Sequence, residues 1–306
     1  QTIKLVLTAM LSEGHLLLED APGTGKTMLA RSLAATVRGS NSRIQFTPDL
    51  LPSDVTGITI YDQRSGQFDF HHGPIFANLV LADEINRASP KTQSALLEVM
   101  EEGRVTVDGT TYPQARPFMV IATQNPIEQA GTYRLPEAQL DRFLIKTSIG
   151  YPDREATVAL LSGSTQRDRS AALNAIITTE AVVEMAELAT TVHVDTAVLE
   201  YVAALCEATR DSADTRLGVS VRGALAMVRA AKVWAASQGR NYVLPDDIKE
   251  LAPHVFTHRL VLDPEAEFTG TTAEQVIASV LRKVPAPTRR GDEDSAEAES
   301  KDQDEH

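Results

Sequence analysis

The residues best suited to chemistry form a glycine-rich turn, Gly23-Thr24-Gly25-Lys26-Thr27, which follows an apolar run ending at residue 18. After a strand, such a turn directs backbone N–H groups at phosphate oxygens, and the start of the next helix adds positive potential. Lys26 is expected to reach the outer phosphates, and the Thr27 hydroxyl to bind Mg²⁺. The turn therefore predicts a nucleoside triphosphate site.

One position departs from the usual phosphate-loop pattern. The first glycine of G-x-x-x-x-G-K-[ST] would fall at position 20, which is Asp20 in this chain. The pattern alone therefore fails, and an ordinary loop of Gly and Pro residues is the alternative. The phosphate-loop interpretation is favoured because a predicted strand, turn and helix follow one another in the order that the motif requires.

Two adjacent carboxylates, Asp83 and Glu84, follow a second apolar run. Asp83 lies 57 residues after Lys26. Asp83 is expected to accept hydrogen bonds from Mg²⁺-bound waters, and Glu84 to polarise the attacking water as a base. A solvated acidic turn after a strand is the alternative. Together with the Lys26 loop, the pair predicts hydrolysis of the bound nucleotide.

The composition limits the class of protein. The chain has 306 residues, of which 42% are apolar and 23% charged, enough for about two domains with cores of their own. Its apolar stretches fall short of the roughly 18 residues that a membrane helix needs, so no membrane span is predicted. The single cysteine, Cys206, lies in a helical pattern and is predicted to be a buried small hydrophobe, which fits a reducing cytoplasm.

Strand-like and helical patterns alternate over residues 1–150. This alternation predicts an α/β domain, a mostly parallel sheet with helices on both faces in three αβα layers. The predicted strands cover residues 15–18, 43–47, 78–82, 118–123 and 144–149. Insertions near residues 54–70 and 104–113 are predicted to be hairpins, the second because Asp108-Gly109 is a strong turn signal.

Residues 151–284 have a different character, since strand signals nearly vanish and alanine-rich helical patterns follow. They predict an all-α second domain. The predicted helices cover residues 180–189, 195–212, 220–238, 245–255 and 272–284. Residues 285–306 carry eight Asp or Glu against three Lys or Arg and predict an acidic, disordered tail.

With these elements in order, the chain resembles the AAA+ ATPases and, among them, the MoxR family. Four stretches carry the resemblance, at residues 19–27, 82–88, 121–126 and 135–143. It implies a P-loop nucleotide-binding domain with a helical lid, and ATP and Mg²⁺ as cofactors. An acidic residue at position 20 is common in such loops. The implied nucleotide-binding residues are Asp20, Pro22, Gly23, Thr24, Gly25, Lys26, Thr27 and Met28, and the implied metal ligands are Thr27 and Asp83.

The resemblance also assigns roles to two residues beyond the loop and the acidic pair. Asn125 matches the sensor that orients the attacking water, with an Asn-Pro turn as the alternative. Arg142 matches the arginine finger that reaches the γ-phosphate of a neighbouring subunit, with a surface ion pair as the alternative. Arg87 and Arg134 are rival candidates for the finger.

A further arginine, Arg222, lies in the first turn of a helix for which Ser220 is the predicted N-cap. Because cations are mildly disfavoured at that end of a helix, a role beyond helix stability is expected. The resemblance implies that Arg222 senses the γ-phosphate from the helical domain, whereas a solvated arginine is the alternative. His258-Arg259 resembles another block of the family, without an assigned role.

The resemblance implies hydrolysis of ATP between the subunits of a ring homo-oligomer, a hexamer, that remodels or matures client proteins in a chaperone-like way. It also implies a partner with a von Willebrand factor A (VWA) domain and clients that are often enzymes awaiting metal cofactors. Two alternatives are a DNA-associated helicase-like motor and a chelatase subunit that helps insert metal into a tetrapyrrole. The net charge of -13 disfavours nucleic acid as a partner, because phosphate binding needs clustered Lys and Arg.

Overall fold

A parallel sheet organises the N-terminal part of the computed structural model, which describes residues 1–20, 23–125, 132–162 and 173–287. The strands are β1 (Leu16–Glu19), β2 (Val37–Arg38), β3 (Asn41–Gln45), β4 (Gly57–Asp62), β5 (Gln67–His72), β6 (Leu79–Asp83), β7 (Arg104–Val107), β8 (Thr110–Pro113), β9 (Met119–Gln124), β10 (Ile145–Thr147), β11 (Ile177–Thr178), β12 (Thr215–Leu217) and β13 (Val261–Leu262). Five of them form the main sheet, in the order β10-β1-β9-β6-β3.

Helices precede, cover and follow this sheet. They are α1 (Thr2–Leu11), α2 (Lys26–Thr36), α3 (Pro52–Thr56), α4 (Pro90–Glu102), α5 (Glu137–Leu140), α6 (Arg154–Ser162), α7 (Thr179–Thr190), α8 (Thr196–Arg210), α9 (Val221–Ser237), α10 (Pro245–Val255), α11 (Pro264–Phe268) and α12 (Ala273–Lys283). Two short 3-10 turns, Ile85–Arg87 and Thr257–Arg259, complete the regular structure of the described residues.

All four pairings in the main sheet are parallel, which confirms the predicted sheet. The five predicted strands are present, and each observed end lies one or two residues from the predicted one. Every residue of β6 is buried, because parallel strands are covered on both faces. This burial explains why β6 is an unbroken apolar run until its last residue, Asp83.

Local signals in the sequence explain where α4 begins and ends. The Ser89 hydroxyl accepts a hydrogen bond from the Thr92 amide at the N-terminus, and Pro90 is the first helical residue. Gly103 ends the helix in the left-handed conformation, at φ 61°. The helix therefore delivers the chain directly into β7, the first strand of the predicted second hairpin.

Both predicted hairpins are present, and aromatic side chains join them. β4 pairs antiparallel with β5, and β7 with β8. Phe70 of β5 stacks on Tyr112 of β8 with ring centroids 4.4 Å apart, and His72 stacks on Phe76 at 4.2 Å. The two insertions therefore form one aromatic-linked surface element.

The chain forms two compact units, residues 1–191 and a unit that begins at Val192. The described residues 151–162 and 173–191 thus belong with the first unit, whereas the sequence analysis begins the second domain at residue 151. The reason is that β11 pairs with β2, while α7 packs against α1. The domain limits of 1–150 and 151–284 stay a prediction, and the predicted tail beyond residue 287 lies outside the described residues.

Up to residue 287, the second unit contains five helices, α8 to α12, and the short pair β12–β13. The five predicted helices of the second domain are all present, including α7 in the first unit. Cys206 is buried in α8, as predicted, and burial raises the pKa of its thiol to about 11. Among the described residues, no helix is both long and apolar enough to cross a membrane.

Candidate active site

Three neighbouring strands of the main sheet end at one cleft. The Lys26 loop follows β1, Asp83 and Glu84 end and follow β6, and Asn125 follows β9, which lies between the other two. The cleft has a volume of about 470 Å³. It is lined by Gly23, Thr24, Gly25, Lys26, Thr27, Met28, Arg31, Asp83, Glu84, Thr123 and Asn125. The structure therefore brings together most of the predicted site residues.

The phosphate loop depends on glycine at two positions. Gly23 and Gly25 have φ angles of 82° and 91°, a left-handed conformation that other residues rarely adopt. Gly25 leads directly into α2, so the N-terminus of that helix opens at the cleft. Lys26 is the first residue of α2, and its Nζ donates to the backbone carbonyl of Asp20 over 2.8 Å. Pro22 lies outside the described residues, so its assignment stays a prediction.

Asp20 makes a different contact from the one that the sequence analysis gives it. Its side chain is only 6% exposed, and it is not among the described residues that line the cleft. Its carboxylate accepts hydrogen bonds from the backbone amides of Ile149, at 2.6 Å, and Gly150, at 3.0 Å. The carboxylate therefore binds the protein backbone just beyond β10.

Thr123 connects the two acidic residues. Its hydroxyl donates to Asp83 Oδ1 over 2.6 Å and accepts a hydrogen bond from the Glu84 amide at 2.9 Å. Glu84 itself has φ 57°, which is unusual for a residue other than glycine. One buried hydroxyl on β9 therefore orients the metal-ligand candidate on β6 and the backbone of the base candidate.

The neighbouring strand β3 also holds the acidic pair. Arg43 Nη2 donates to Asp83 Oδ2 over 2.7 Å, and Gln45 Nε2 donates to Glu84 Oε2 over 3.0 Å. Arg87 Nη1 donates to the same Glu84 oxygen at 3.1 Å. Sequence reasoning missed Arg43 and Gln45. Their spacing of two residues on a predicted strand places them on one face, but the register against β6 was not predictable.

Three more residues line the cleft: Asn125, Met28 and Arg31. Asn125 lines the cleft and is 6% exposed, directly after β9, where the sequence analysis expects the water-orienting amide. Met28 also lines the cleft, and its role in nucleotide binding stays a prediction. Arg31 was missed, although its position four residues after Thr27 places it on the same face of α2.

The arginine-finger candidates occupy different surroundings. Arg142 is not among the described residues that line the nucleotide cleft of its own chain. It lines a second cleft of about 670 Å³ together with Glu98, Glu101 and other residues. Its Nε lies 2.9 Å from Glu101 Oε2. Arg134 is exposed, and Arg87 is paired with Glu84 of the same chain. Arg142 and Arg134 are thus both absent from the described lining of the nucleotide cleft, whereas Arg87 is held by the base candidate, and the choice of finger stays a prediction.

Arg222 lies in the second unit, at the second position of α9. As predicted, the Ser220 hydroxyl is the N-cap, and it accepts a hydrogen bond from the Gly223 amide at 3.2 Å. Arg259 is buried beside the same turn, where a Cβ on Gly223 would lie 2.8 Å from Arg259 Cδ. The His258-Arg259 block therefore supports the start of α9, while the role of Arg222 in sensing nucleotide stays a prediction.

The oxygen-bearing side chains of the cleft suit Mg²⁺, which prefers hard oxygen ligands and keeps several waters. Thr27 and Asp83 both line the cleft, as the predicted ligands should. In the described ranges no group of three or more His, Cys, Asp or Glu side chains is arranged to hold a metal ion. A hydroxyl and one carboxylate are the donor set that a nucleotide-bound Mg²⁺ requires, since the phosphates supply further oxygens.

Comparisons with known proteins agree with this geometry. A family model described as "ATPase family associated with various cellular activities (AAA)" matches residues 15–145, and one described as "AAA lid domain" matches residues 207–280. The protein YeaC of Bacillus subtilis is 49% identical over 94% of this chain and 89% of its own length. Chaperone MoxR1 of Mycobacterium tuberculosis is 43% identical over 94% of this chain and 78% of its own length.

A solved structure supports the fold in three dimensions. The crystal structure of "a putative ATPase" from Cytophaga hutchinsonii superimposes with a TM-score of 0.87 at 41% sequence identity, over 94% of this chain and 90% of that one. Relatives of this identity and coverage share the AAA+ domain with its helical lid. The chain therefore belongs to the MoxR family of AAA+ ATPases.

Proposed function

We propose that this chain binds ATP with Mg²⁺ in the cleft and hydrolyses it to ADP and phosphate at the subunit interfaces of a ring, a hexamer by resemblance. One observation carries the proposal. Lys26, Thr27, Asp83, Glu84 and Asn125 line a single cleft at the ends of three adjacent strands. Each has the functional group that one part of phosphoryl transfer to water requires.

The phosphate loop is proposed to bind the triphosphate through backbone amides at the start of α2. Lys26 then exchanges its hydrogen bond with the Asp20 carbonyl for contacts with the outer phosphate oxygens. Thr27 and Asp83 would hold Mg²⁺, which would supply charge neutralisation to the bound triphosphate. The positive charge of Lys26 acts on the same oxygens.

Glu84 is the proposed base and Asn125 the proposed positioning group for the attacking water. Glu84 Oε2 accepts hydrogen bonds from Gln45 and Arg87, so one carboxylate oxygen is engaged by two donors. Oε2 can accept a proton from the attacking water only when these contacts loosen, so the two contacts hold the proposed base in a state of low hydrolytic activity.

The γ-phosphate needs positive charge from outside the cleft in the transition state. Arg142 lines another cleft of its own chain, which supports a role towards the nucleotide of a neighbouring subunit. Arginine fingers of this kind contribute about 10³ to 10⁵ in rate. Arg222 is the proposed γ-phosphate sensor of the helical lid.

The cellular role is proposed to be chaperone-like remodelling or maturation of client proteins. The printed name of the mycobacterial relative, Chaperone MoxR1, supports this class of activity. The VWA-domain partner, clients that await metal cofactors and the cytoplasmic location are proposed from the family resemblance. The aromatic-linked hairpins β4–β5 and β7–β8 are the proposed output surface.

Two variants test the activity. Lys26→Ala is expected to weaken binding of a fluorescent ATP analogue by about 10-fold or more, since the lysine contacts the charged phosphates. Glu84→Gln is expected to bind ATP normally but to release phosphate about 100-fold more slowly. Glu155→Gln, an exposed change of the same kind on α6, should match the wild type. Hydrolysis at the wild-type rate in Glu84→Gln would reject Glu84 as the base.

A further inference from the structure

Asp20 contacts three elements of the candidate site at once. Its backbone amide donates to the Gln124 carbonyl at the end of β9 over 3.3 Å. Its backbone carbonyl accepts the hydrogen bond from Lys26 Nζ at 2.8 Å. Its carboxylate accepts the amides of Ile149 and Gly150 at 2.6 and 3.0 Å. One residue therefore links the end of β9, the phosphate-binding lysine and the chain that leaves β10.

The Asp20 carboxylate binds backbone amides just beyond the last paired residues of β1 and β10. The last paired residues of β1 and β10 are Leu18 and Thr147. The amides of Ile149 and Gly150 lie beyond that ladder, and Gly150 turns the backbone with φ 74°. These two amides are half-buried and have no strand partner there, so the two carboxylate oxygens serve as their acceptors. A glycine at position 20 offers no such acceptor.

These contacts also explain why an acidic residue is tolerated in a phosphate loop. A carboxylate that faced the triphosphate would repel it. Here each carboxylate oxygen accepts a backbone N–H, and the side chain is almost completely buried. Asp20 does not have a positive φ either, so the backbone does not demand glycine at this position.

We propose that Asp20 is a positioning residue that couples occupancy of the phosphate loop to the turn at Ile149 and Gly150. The proposal rests on the proposed binding of ATP. When Lys26 exchanges the Asp20 carbonyl for a phosphate, the loop and Asp20 become fixed to the ligand. The carboxylate of the same residue passes this constraint to the turn, from which the chain continues into α6.

The test is hydrogen exchange at the amides of Ile149 and Gly150 in the full chain, with and without saturating AMP-PNP and Mg²⁺. Asp20→Gly restores the usual phosphate-loop pattern and removes the acceptor. Asp20→Asn keeps the shape but presents an N–H₂ group to one of the two amides. Asp69→Asn, which neutralises an exposed carboxylate on β5, is the matched control.

In the wild type and in Asp69→Asn, AMP-PNP is expected to slow exchange at both amides about tenfold, because a restrained turn opens less often. In Asp20→Gly and Asp20→Asn the amides should exchange fast and respond less than about twofold to bound nucleotide. If Asp20 were merely a structural acceptor, its replacement would speed exchange at the two amides without nucleotide. AMP-PNP would then not slow exchange at these amides in the wild type.

The same nucleotide-dependent protection in Asp20→Gly as in the wild type would overturn the proposal. Unchanged exchange at both amides in the wild type with AMP-PNP bound would also overturn it, even if neither variant folds. Failure of AMP-PNP to bind the wild type at all contradicts the proposed function instead, so fluorescence titration of the same sample separates the two results.

Discussion

Gln45 Nε2 donates a hydrogen bond to Glu84 Oε2 over 3.0 Å, from the strand beside the one that leads to Glu84. Gln45 in turn accepts a hydrogen bond from Arg43, which also donates to Asp83. β3 therefore contacts both acidic residues of the site. No residue of β3 is among the described residues that line the cleft. Substitutions in β3 are therefore expected to change the activity of the proposed base, Glu84.

Removal of the Gln45 amide is expected to raise ATP hydrolysis. Gln45→Ala takes away one of the two donors that engage Glu84 Oε2, and one such hydrogen bond corresponds to a change of roughly 2- to 5-fold. Steady-state phosphate release measures the effect, with Gln67→Ala on the exposed β5 as the control. A fall to less than half of the wild-type rate would show that Gln45 positions Glu84 for catalysis.

The hydroxyl of Thr123 should matter more than its shape. Thr123→Val removes a donor to Asp83 and an acceptor for the Glu84 amide at a site that is 1% exposed. We expect kcat to fall by about 10-fold or more and the free energy of unfolding by about 1–3 kcal/mol. KM for ATP should change little, because the phosphate loop is untouched.

Thr123→Ser is the matched control for this prediction, since it retains the hydroxyl and loses only a methyl group. It should keep most of the wild-type kcat. A Thr123→Val variant with kcat within twofold of the wild type would contradict the role given to the hydroxyl.

Gly223→Ala is expected to destabilise the second unit. Alanine favours helices by about 1 kcal/mol over glycine, but the added Cβ would lie 2.6 Å from Val219 Cγ1 and 2.8 Å from Arg259 Cδ. Overpacking of this kind costs about 1–3 kcal/mol, so the net change in the free energy of unfolding is a loss. Urea denaturation measures it.

A second substitution tests whether the clash is the cause. Val219→Ala removes one of the two close atoms, so the double variant Val219→Ala/Gly223→Ala should lose less stability than the two single variants added together. Strict additivity would mean that the close approach to Val219 is not what makes glycine necessary.

Cys206 should be unreactive in the folded chain. Burial raises the pKa of its thiol from 9.0 to about 11, which lowers the thiolate fraction at pH 8 about 100-fold. Iodoacetamide should therefore modify the native chain at least about 100-fold more slowly than the chain in urea. Equal rates in the two states would contradict the burial.

The same shift predicts a pH dependence of stability. Because the folded-state pKa is raised, the contribution of Cys206 is fully present below pH 9 and is lost as the pH rises towards 11. Cys206→Ala should remove this part of the decline in the free energy of unfolding at high pH. An unchanged decline would assign it to other groups.

The sequence was sufficient for features that depend on local chemistry. The turn before Lys26, the acidic pair at the end of β6 and the serine caps at Ser89 and Ser220 have clear local causes. Each is a short pattern with one dominant physical reason, such as an unpaired helix amide or a left-handed glycine. These features were therefore placed within one or two residues.

Contacts between distant segments were not predictable in the same way. Gln45 faces Glu84 only because β3 pairs with β6 in one register, and a shift by one residue would turn it to the other face. Asp20 and Gly150 are 130 positions apart and meet because β1 lies beside β10. Such relationships depend on packing of the whole sheet, which no local pattern encodes.

The central claim, a nucleotide site shared between subunits, is tested most directly by mixing two inactive variants. Glu84→Gln retains Arg142 but lacks the base, and Arg142→Ala retains the base but lacks the finger. In a ring assembled from equal amounts, one interface in four combines an intact cleft with an intact finger, so turnover should recover to about a quarter of the wild-type rate. No recovery at any mixing ratio, or full activity of Arg142→Ala alone, would contradict the account.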